Sequence, residues 1–203
     1  TDGKLHAVAL SPDGTTVIAG GNTCYTWDKT YCVYVFDTLS GKMLRRISGL
    51  PGTIDHLAYS KDGRFLVIGM RKQGMQVYHS RDYLKVAEDV DYQDAVSWSE
   101  FDTQGRLVTA SVDGHVRIYD AKFRLRHKQE FKDGEQPFSI SISPDDQHIA
   151  VGFYNATKVV VLSSSDLKHL YEPDTAGVKG RFHSVAWSAD GRYLYGAGSY
   201  RWH

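Results

Sequence analysis

Apolar and polar positions alternate through residues 183–191 (HSVAWSADG) and then give way to an Asp-Gly step, the pattern of a short half-buried strand running into a tight turn. Four worn copies lie upstream: residues 6–14 (HAVALSPDG), 55–63 (DHLAYSKDG), 97–105 (SWSEFDTQG) and 138–146 (FSISISPDD). Their last positions, Gly14, Gly63, Gly105, Asp146 and Gly191, are spaced 49, 42, 41 and 45 residues apart. The third unit shows the local order most clearly. It predicts strand a over 97–102, strand b over 106–111, an Asp-Gly turn at Val112-Asp113-Gly114, strand c over 115–119 and strand d over 125–131.

A period of about 40–45 residues with four strands per unit predicts an all-β chain of β-propeller type, built from four-stranded antiparallel blades. The blades are expected near 6–49, 54–90, 95–132 and 137–172, with a partial one over 183–203, so the chain reads as one propeller region. Only strands a and b of the last unit are found, and too few residues precede His6 to supply the others. About four and a half blades are therefore expected, as part of a larger ring that closes its edges by other means.

The run 107–120 (LVTASVDGHVRIYD) resembles a WD40 repeat, with Tyr119-Asp120 in the Trp-Asp place. The other units match less well: their dipeptides are Phe36-Asp37, Tyr78-His79 and Leu162-Ser163, and no Gly-His precedes the inner strands. Of the family's structural hydrogen-bond tetrad only Ser111, Asp113 and, in part, Tyr119 are matched, with Asp120 beside them. The Ser-Pro-Asp-Gly and Trp-Ser-Ala-Asp-Gly phrases resemble divergent bacterial repeats of the kind appended to caspase-like and other effector domains. The resemblance implies a ring of about seven blades and a non-enzymatic scaffold or sensor for a protein or peptide.

Composition narrows the function further. Lys plus Arg number 24 and Asp plus Glu 24, which removes the field that would draw the chain to nucleic acid or an anionic membrane. No apolar run approaches the ~20 residues of a membrane helix, and the N-terminus lacks signal-peptide character. Cys24 and Cys32 are too few for a disulfide scaffold, so reduced thiols in a cytoplasmic protein are expected, with a local Cys24–Cys32 bridge as the alternative.

No Gly-x-Ser-x-Gly, His-Glu-x-x-His or phosphate-loop motif occurs, and Ser40-Gly41-Lys42 reads as an ordinary c–d turn. His6 and His183 share one phrase position without companions of metal-ligand type, so neither a metal nor a cofactor is expected. Glu100 stands where Ala9, Ala58, Ser141 and Ala186 are small, which reads as a hydrated or hydrogen-bonded carboxylate. The Asn155-Ala156-Thr157 sequon is attributed to chance.

In such a blade the b–c and d–a connections share one face. An insertion over 22–31 and the connections after it put Tyr25, Trp27, Asp28, Tyr31, Arg71, Tyr92, Asp94, His115, Tyr154 and Arg181 there, a set rich in the residue types that carry binding energy. These are the expected partner-binding residues. The partner is a protein or peptide, or the missing blades of the same ring, and open blade edges allow self-association. The alternative is an enzyme or a small-ligand or glycan binder that uses the central channel or the Trp27 loop.

Overall fold

The computed structural model describes residues 3–24, 29–132 and 134–200, which form eighteen strands and, among the described residues, no helix. The chain divides into two compact units at Phe101/Asp102.

In the first unit β1 (Gly3–Leu10), β2 (Thr16–Thr23), β3 (Tyr31–Asp37) and β4 (Met43–Leu50) form one four-stranded sheet in sequence order. β5 (Ile54–Tyr59), β6 (Phe65–Met70), β7 (Met75–His79) and β8 (Lys85–Asp89) form a second, and β9 (Val96–Phe101) follows. In the second unit β10 (Leu107–Ser111), β11 (His115–Tyr119) and β12 (Leu125–Glu130) are successive antiparallel neighbours. β13 (Pro137–Ile142), β14 (His148–Phe153), β15 (Val159–Ser163) and β16 (His169–Tyr171) make another four-stranded sheet, while β17 (Gly180–Trp187) pairs with β18 (Leu194–Tyr200). These all-β, blade-like sheets are those of a β-propeller.

Burial explains why the middle strands do not alternate. β6, β7, β14 and β15 are covered on both faces and read as near-continuous apolar runs. The outer strands β4 (MLRRISGL) and β12 (LRHKQE) are mostly exposed and carry the charges that keep an open edge from pairing. Within the first unit the core joins two sheets: Ile18, Val33 and Val35 pack with Ile54, Leu66 and Ile68. Close approach of successive sheets explains the strand-b glycines. A Cβ on Gly20 would lie 3.0 Å from Ile54, one on Gly69 2.9 Å from Val96, and one on Gly152 2.6 Å from the Phe182 carbonyl.

The repeated Ser-x-Asp turn is a fixed hydrogen-bonded frame. Ser11 donates to Asp13 Oδ1 at 2.6 Å and accepts the Thr16 N–H at 2.9 Å, and the Asp also accepts the Thr15 N–H. Ser60/Asp62, Ser143/Asp145 and Ser188/Asp190 repeat it. In the third sequence repeat Asp102 takes the serine's place and accepts the N–H groups of Gln104 and Arg106. The ninth position is left-handed throughout, at φ 72° for Gly14, 72° for Gly63, 77° for Gly105, 57° for Asp146 and 69° for Gly191.

The first insertion departs from the expectation. β2 runs on to Thr23 because its end pairs with the early start of β1, Gly3 opposite Thr23. The thiols are not free: Cys24 and Cys32, their Cα atoms 5.7 Å apart, form a disulfide that closes the loop, so the reduced state expected from the cysteine count is corrected. Thr23 Oγ1 donates to the Cys32 carbonyl at 2.6 Å and completes that closure.

Candidate interaction face

The b–c and d–a connections meet at one end of each unit. In the first, the Arg71 N–H donates to the Thr53 carbonyl at 2.9 Å. In the second, Asn155 joins both connections: its Oδ1 accepts the Gln136 N–H at 3.0 Å and its Nδ2 donates to the Gly134 carbonyl at 2.8 Å.

At that end of the second unit the structure brings Tyr154 and Arg181 together. The guanidinium carbon lies 5.6 Å from the centroid of the Tyr154 ring, which is 46% exposed. Phe138 is 5.5 Å from Tyr154 and 5.9 Å, edge-on, from His183. β13 and β17 supply Phe138 and His183 from the same phrase position, Tyr154 follows β14, and Arg181 comes from the irregular start of β17, where the pairing shifts between Arg181 and Ser184. A cation held over a ring, with two aromatic neighbours, offers a partner both apolar area and charge.

The other expected residues that the structure describes have local roles within their own unit. Arg71 is a half-exposed fork on Asp55, with contacts of 2.9 and 3.2 Å, and His6 Nε2 lies 3.7 Å from the same carboxylate. Burial raises the Asp55 pKa above the usual carboxylate range, a push opposed by Arg71 and His6. Asp94 caps the Ala95 N–H at 2.8 Å. Tyr31 packs against the core of its own unit. Tyr92 is only 4% exposed and is therefore a supporting ring rather than a contact surface. Tyr25, Trp27 and Asp28 lie outside the described residues.

His115 turns inward to Asp113, whose carboxylate is fully buried and paired with Arg117 at 2.8 and 3.2 Å. Ser111 Oγ accepts the Asp113 N–H at 3.2 Å and Tyr119 is 1% exposed. Asp120, held at a pKa of about 2 chiefly by the Arg124 guanidinium and by backbone N–H groups, fixes the c–d turn. Glu100 is half-buried on β9.

Sequence reasoning missed Arg117, hidden inside a Val-Arg-Ile strand pattern, and two further features. The inner strands are stitched by side chains of the preceding sheet: His56 Nδ1 accepts the Ser99 N–H at 3.1 Å, Ser139 Oγ the Val185 N–H at 3.1 Å and Ser141 Oγ the Trp187 N–H at 3.2 Å. The signal was present in the small polar residues or His at the second and fourth phrase positions. Clefts also open at the opposite, a–b turn end. One of about 500 Å³ in the first unit runs between residues 11–16 and 59–63, and one of about 420 Å³ in the second runs between residues 143–148 and 187–191.

Residues 82–186, just over half of the chain, match the sequence profile of the Cytochrome D1 heme domain. The chain belongs to this family. WD repeat-containing protein 19 of Mus musculus is 21% identical over 175 residues, covering 83% of this chain and 13% of the relative. Transcription factor unc-37 of Caenorhabditis elegans is 27% identical over 165 residues, covering 79% and 25%. The Intraflagellar transport protein 122 homolog of Xenopus tropicalis is 26% identical over 155 residues, covering 75% and 12%. The chain is thus a WD40-like β-propeller repeat protein that spans a quarter or less of the length of these relatives.

The Cytochrome D1 heme domain family implies a heme, and the histidines present do not fit one. Histidine ligation of a heme needs an apolar slot with an imidazole aimed across it. Within the matched segment His115 is turned onto Asp113, His127 is exposed on β12, His169 faces Glu172 at 3.5 Å, and His183 packs on Phe138. His148 borders a cleft rimmed by Asp145 and Asp190. Among the described residues no group of three His, Cys, Asp or Glu side chains is placed to hold a metal ion.

Proposed function

We propose that this chain is a non-enzymatic protein-interaction module that presents its b–c and d–a connections to a protein or peptide, with Tyr154 and Arg181 at the centre of the contact in the second unit. The observation that carries the reading is the solvent-facing Tyr154–Arg181 pair backed by Phe138 and His183. Aromatic and Arg side chains of this kind supply most of the energy at interfaces, and the WD-repeat relatives support a protein-interaction role in general terms. Zero formal charge favours a protein over nucleic acid or a membrane surface. The buried Cys24–Cys32 disulfide favours an oxidising compartment over the reducing cytoplasm.

The test is selection of binders from a random displayed-peptide library against the wild-type chain, followed by titration against Tyr154→Ala/Arg181→Ala. The double variant should keep its circular dichroism spectrum and lose about tenfold or more in affinity, the scale of two modest hot spots. Selected peptides that bind the double variant unchanged would remove Tyr154 and Arg181 from the contact.

A further inference from the structure

At the opposite end of the second unit, we infer that the cleft between residues 143–148 and 187–191 is a binding site for an ammonium cation, the side-chain head of a lysine on a partner polypeptide. The site is separate from the Tyr154–Arg181 contact and stands or falls independently of it.

The chemistry of the lining sets the class of ligand. The cleft, of about 420 Å³, is bounded by Trp187 and Tyr171, by the carboxylates Asp145 and Asp190, and by Ser143 and His148; no Lys or Arg lines it. Its donors are largely spent. Ser143 and Ser188 give their hydroxyl protons to Asp145 and Asp190, and the Trp187 indole N–H donates to the Ser141 carbonyl at 3.1 Å. Only His148 and the Tyr171 hydroxyl remain as side-chain donors on the wall.

The acceptors are not spent. In both aspartates the turn uses Oδ1 alone, accepting a serine hydroxyl at 2.5 Å and a backbone N–H. Neither Oδ2 accepts a hydrogen bond among the described residues. Those same turn contacts, led by the serine hydroxyls, hold both carboxyls below the usual range and so keep them charged. An anion would find carboxylates and few donors, and a sugar would need donors as well as acceptors. An ammonium needs only acceptors and π-faces, and both are offered.

The first unit contains the comparison. Its cleft is framed by the same Ser-x-Asp turns, yet Lys61 and Arg81 line it, and the outer oxygen of Asp62 is taken by Arg64 Nε at 2.7 Å. In the second unit Arg192 stands in the place of Arg64 and, like Arg64 over Phe65 at 5.4 Å, lies over the next ring, Tyr193, at 5.7 Å, but among the described residues its guanidinium makes no hydrogen bond to Asp190. The protein sets Lys61, Arg81 and Arg64 at one cleft, whereas the other has two carboxylates with only the His148 ring beside them, its Nδ1 3.8 Å from Asp145 Oδ1.

The experiment titrates the isotope-labelled full chain with Nα-acetyl-lysinamide and with tetramethylammonium chloride, followed by amide and indole NMR shifts. Methyl glucoside and inorganic phosphate serve as controls at equal ionic strength. Both cations should shift residues 143–148 and 187–191 saturably, with a Kd on the order of 1 mM for so small a ligand. Asp145→Asn/Asp190→Asn keeps each Oδ1 acceptor and replaces the outer oxygen with an N–H, and should weaken binding about tenfold. Tyr171→Leu, at an exposed position, tests the aromatic wall without touching the turns and should weaken it about threefold. Saturable binding that is unchanged in these variants, equal shifts from methyl glucoside, or no saturable shift with either cation would overturn the assignment.

Discussion

Acidification should destabilise the first unit through one side chain, His56. Its Nδ1 accepts the Ser99 N–H at 3.1 Å and its ring lies on Trp98 with centroids 4.6 Å apart, so the folded state holds the neutral ring with its proton on Nε2. Burial pushes its pKa from 6.5 down to about 4. Protonation also sets Nδ1–H against Ser99 N–H, two donors face to face. Because the folded pKa lies below the unfolded one, the unfolded chain binds the proton first, and stability is lost as pH falls from about 6.5 to about 4. At 1.36 kcal/mol per unit the full loss is about 3 kcal/mol, an upper figure because part of the residue reaches solvent.

The turn aspartates Asp13, Asp62, Asp145 and Asp190 are lowered below 3.8 and act at more acid pH, where their protonation removes stability. Asp55 works the other way: its pKa is raised by burial, so its protonation relieves a cost. The comparison that isolates His56 is therefore wild type against His56→Asn, which keeps an acceptor for Ser99. Urea unfolding from about pH 7 to about pH 4 should show the stability difference between the two moving by about 3 kcal/mol in the variant's favour. Parallel profiles for the two proteins would refute the reasoning.

Three further outcomes follow from packing and covalent structure. Asp113→Ala removes the paired carboxylate from the Arg117 guanidinium, 1% exposed, and should cost about 3–5 kcal/mol in denaturant unfolding; a loss below about 1 kcal/mol would mean the pair is not buried as described. Reducing Cys24–Cys32 should lower stability by about 2–3 kcal/mol, the loop-closure value for a short loop, while a thiol assay on the unfolded, unreduced chain should find no free thiol. Gly69→Val pushes side-chain atoms into Val96, whose Cγ1 lies 2.9 Å from a Cβ at that position, and should cost about 1–3 kcal/mol or more, read as a lowered Tm.

What the sequence made legible was whatever the repeat expresses along one strand. Residues 115–119 were expected as strand c and are β11, and the Asp-Gly steps mark the turns because the ninth position must be left-handed. What stayed hidden depends on two segments meeting. Tyr92 reads as a loop aromatic and is only 4% exposed, because burial is decided by neighbours that a local pattern does not reveal. Nothing in the Val-Arg-Ile pattern marks Arg117, whose guanidinium is buried against Asp113, four positions back across the turn. The Cys24–Cys32 bridge turned on the spacing that β2 and β3 impose, and β2 proved longer than its pattern suggested because β1 starts three residues before His6.

The candidate sites divide along the same line. The Ser-x-Asp frame is nearly identical in four turns because it serves the backbone: the serine and the Oδ1 atom are consumed within each hairpin. What a cleft can bind is set by the residues the phrase leaves unspecified, Tyr59, Lys61 and Arg81 in one unit and His148, Tyr171 and Trp187 in the other. A repeat holds the scaffold constant and so makes those substitutions readable against each other. The outer oxygens of Asp145 and Asp190 stand out because the corresponding oxygen of Asp62 already has its guanidinium. The same logic places Tyr154 and Arg181 at the other end, where Phe138 and His183, two versions of one phrase position, face each other from adjacent sheets and leave an aromatic surface that the repeat itself does not require.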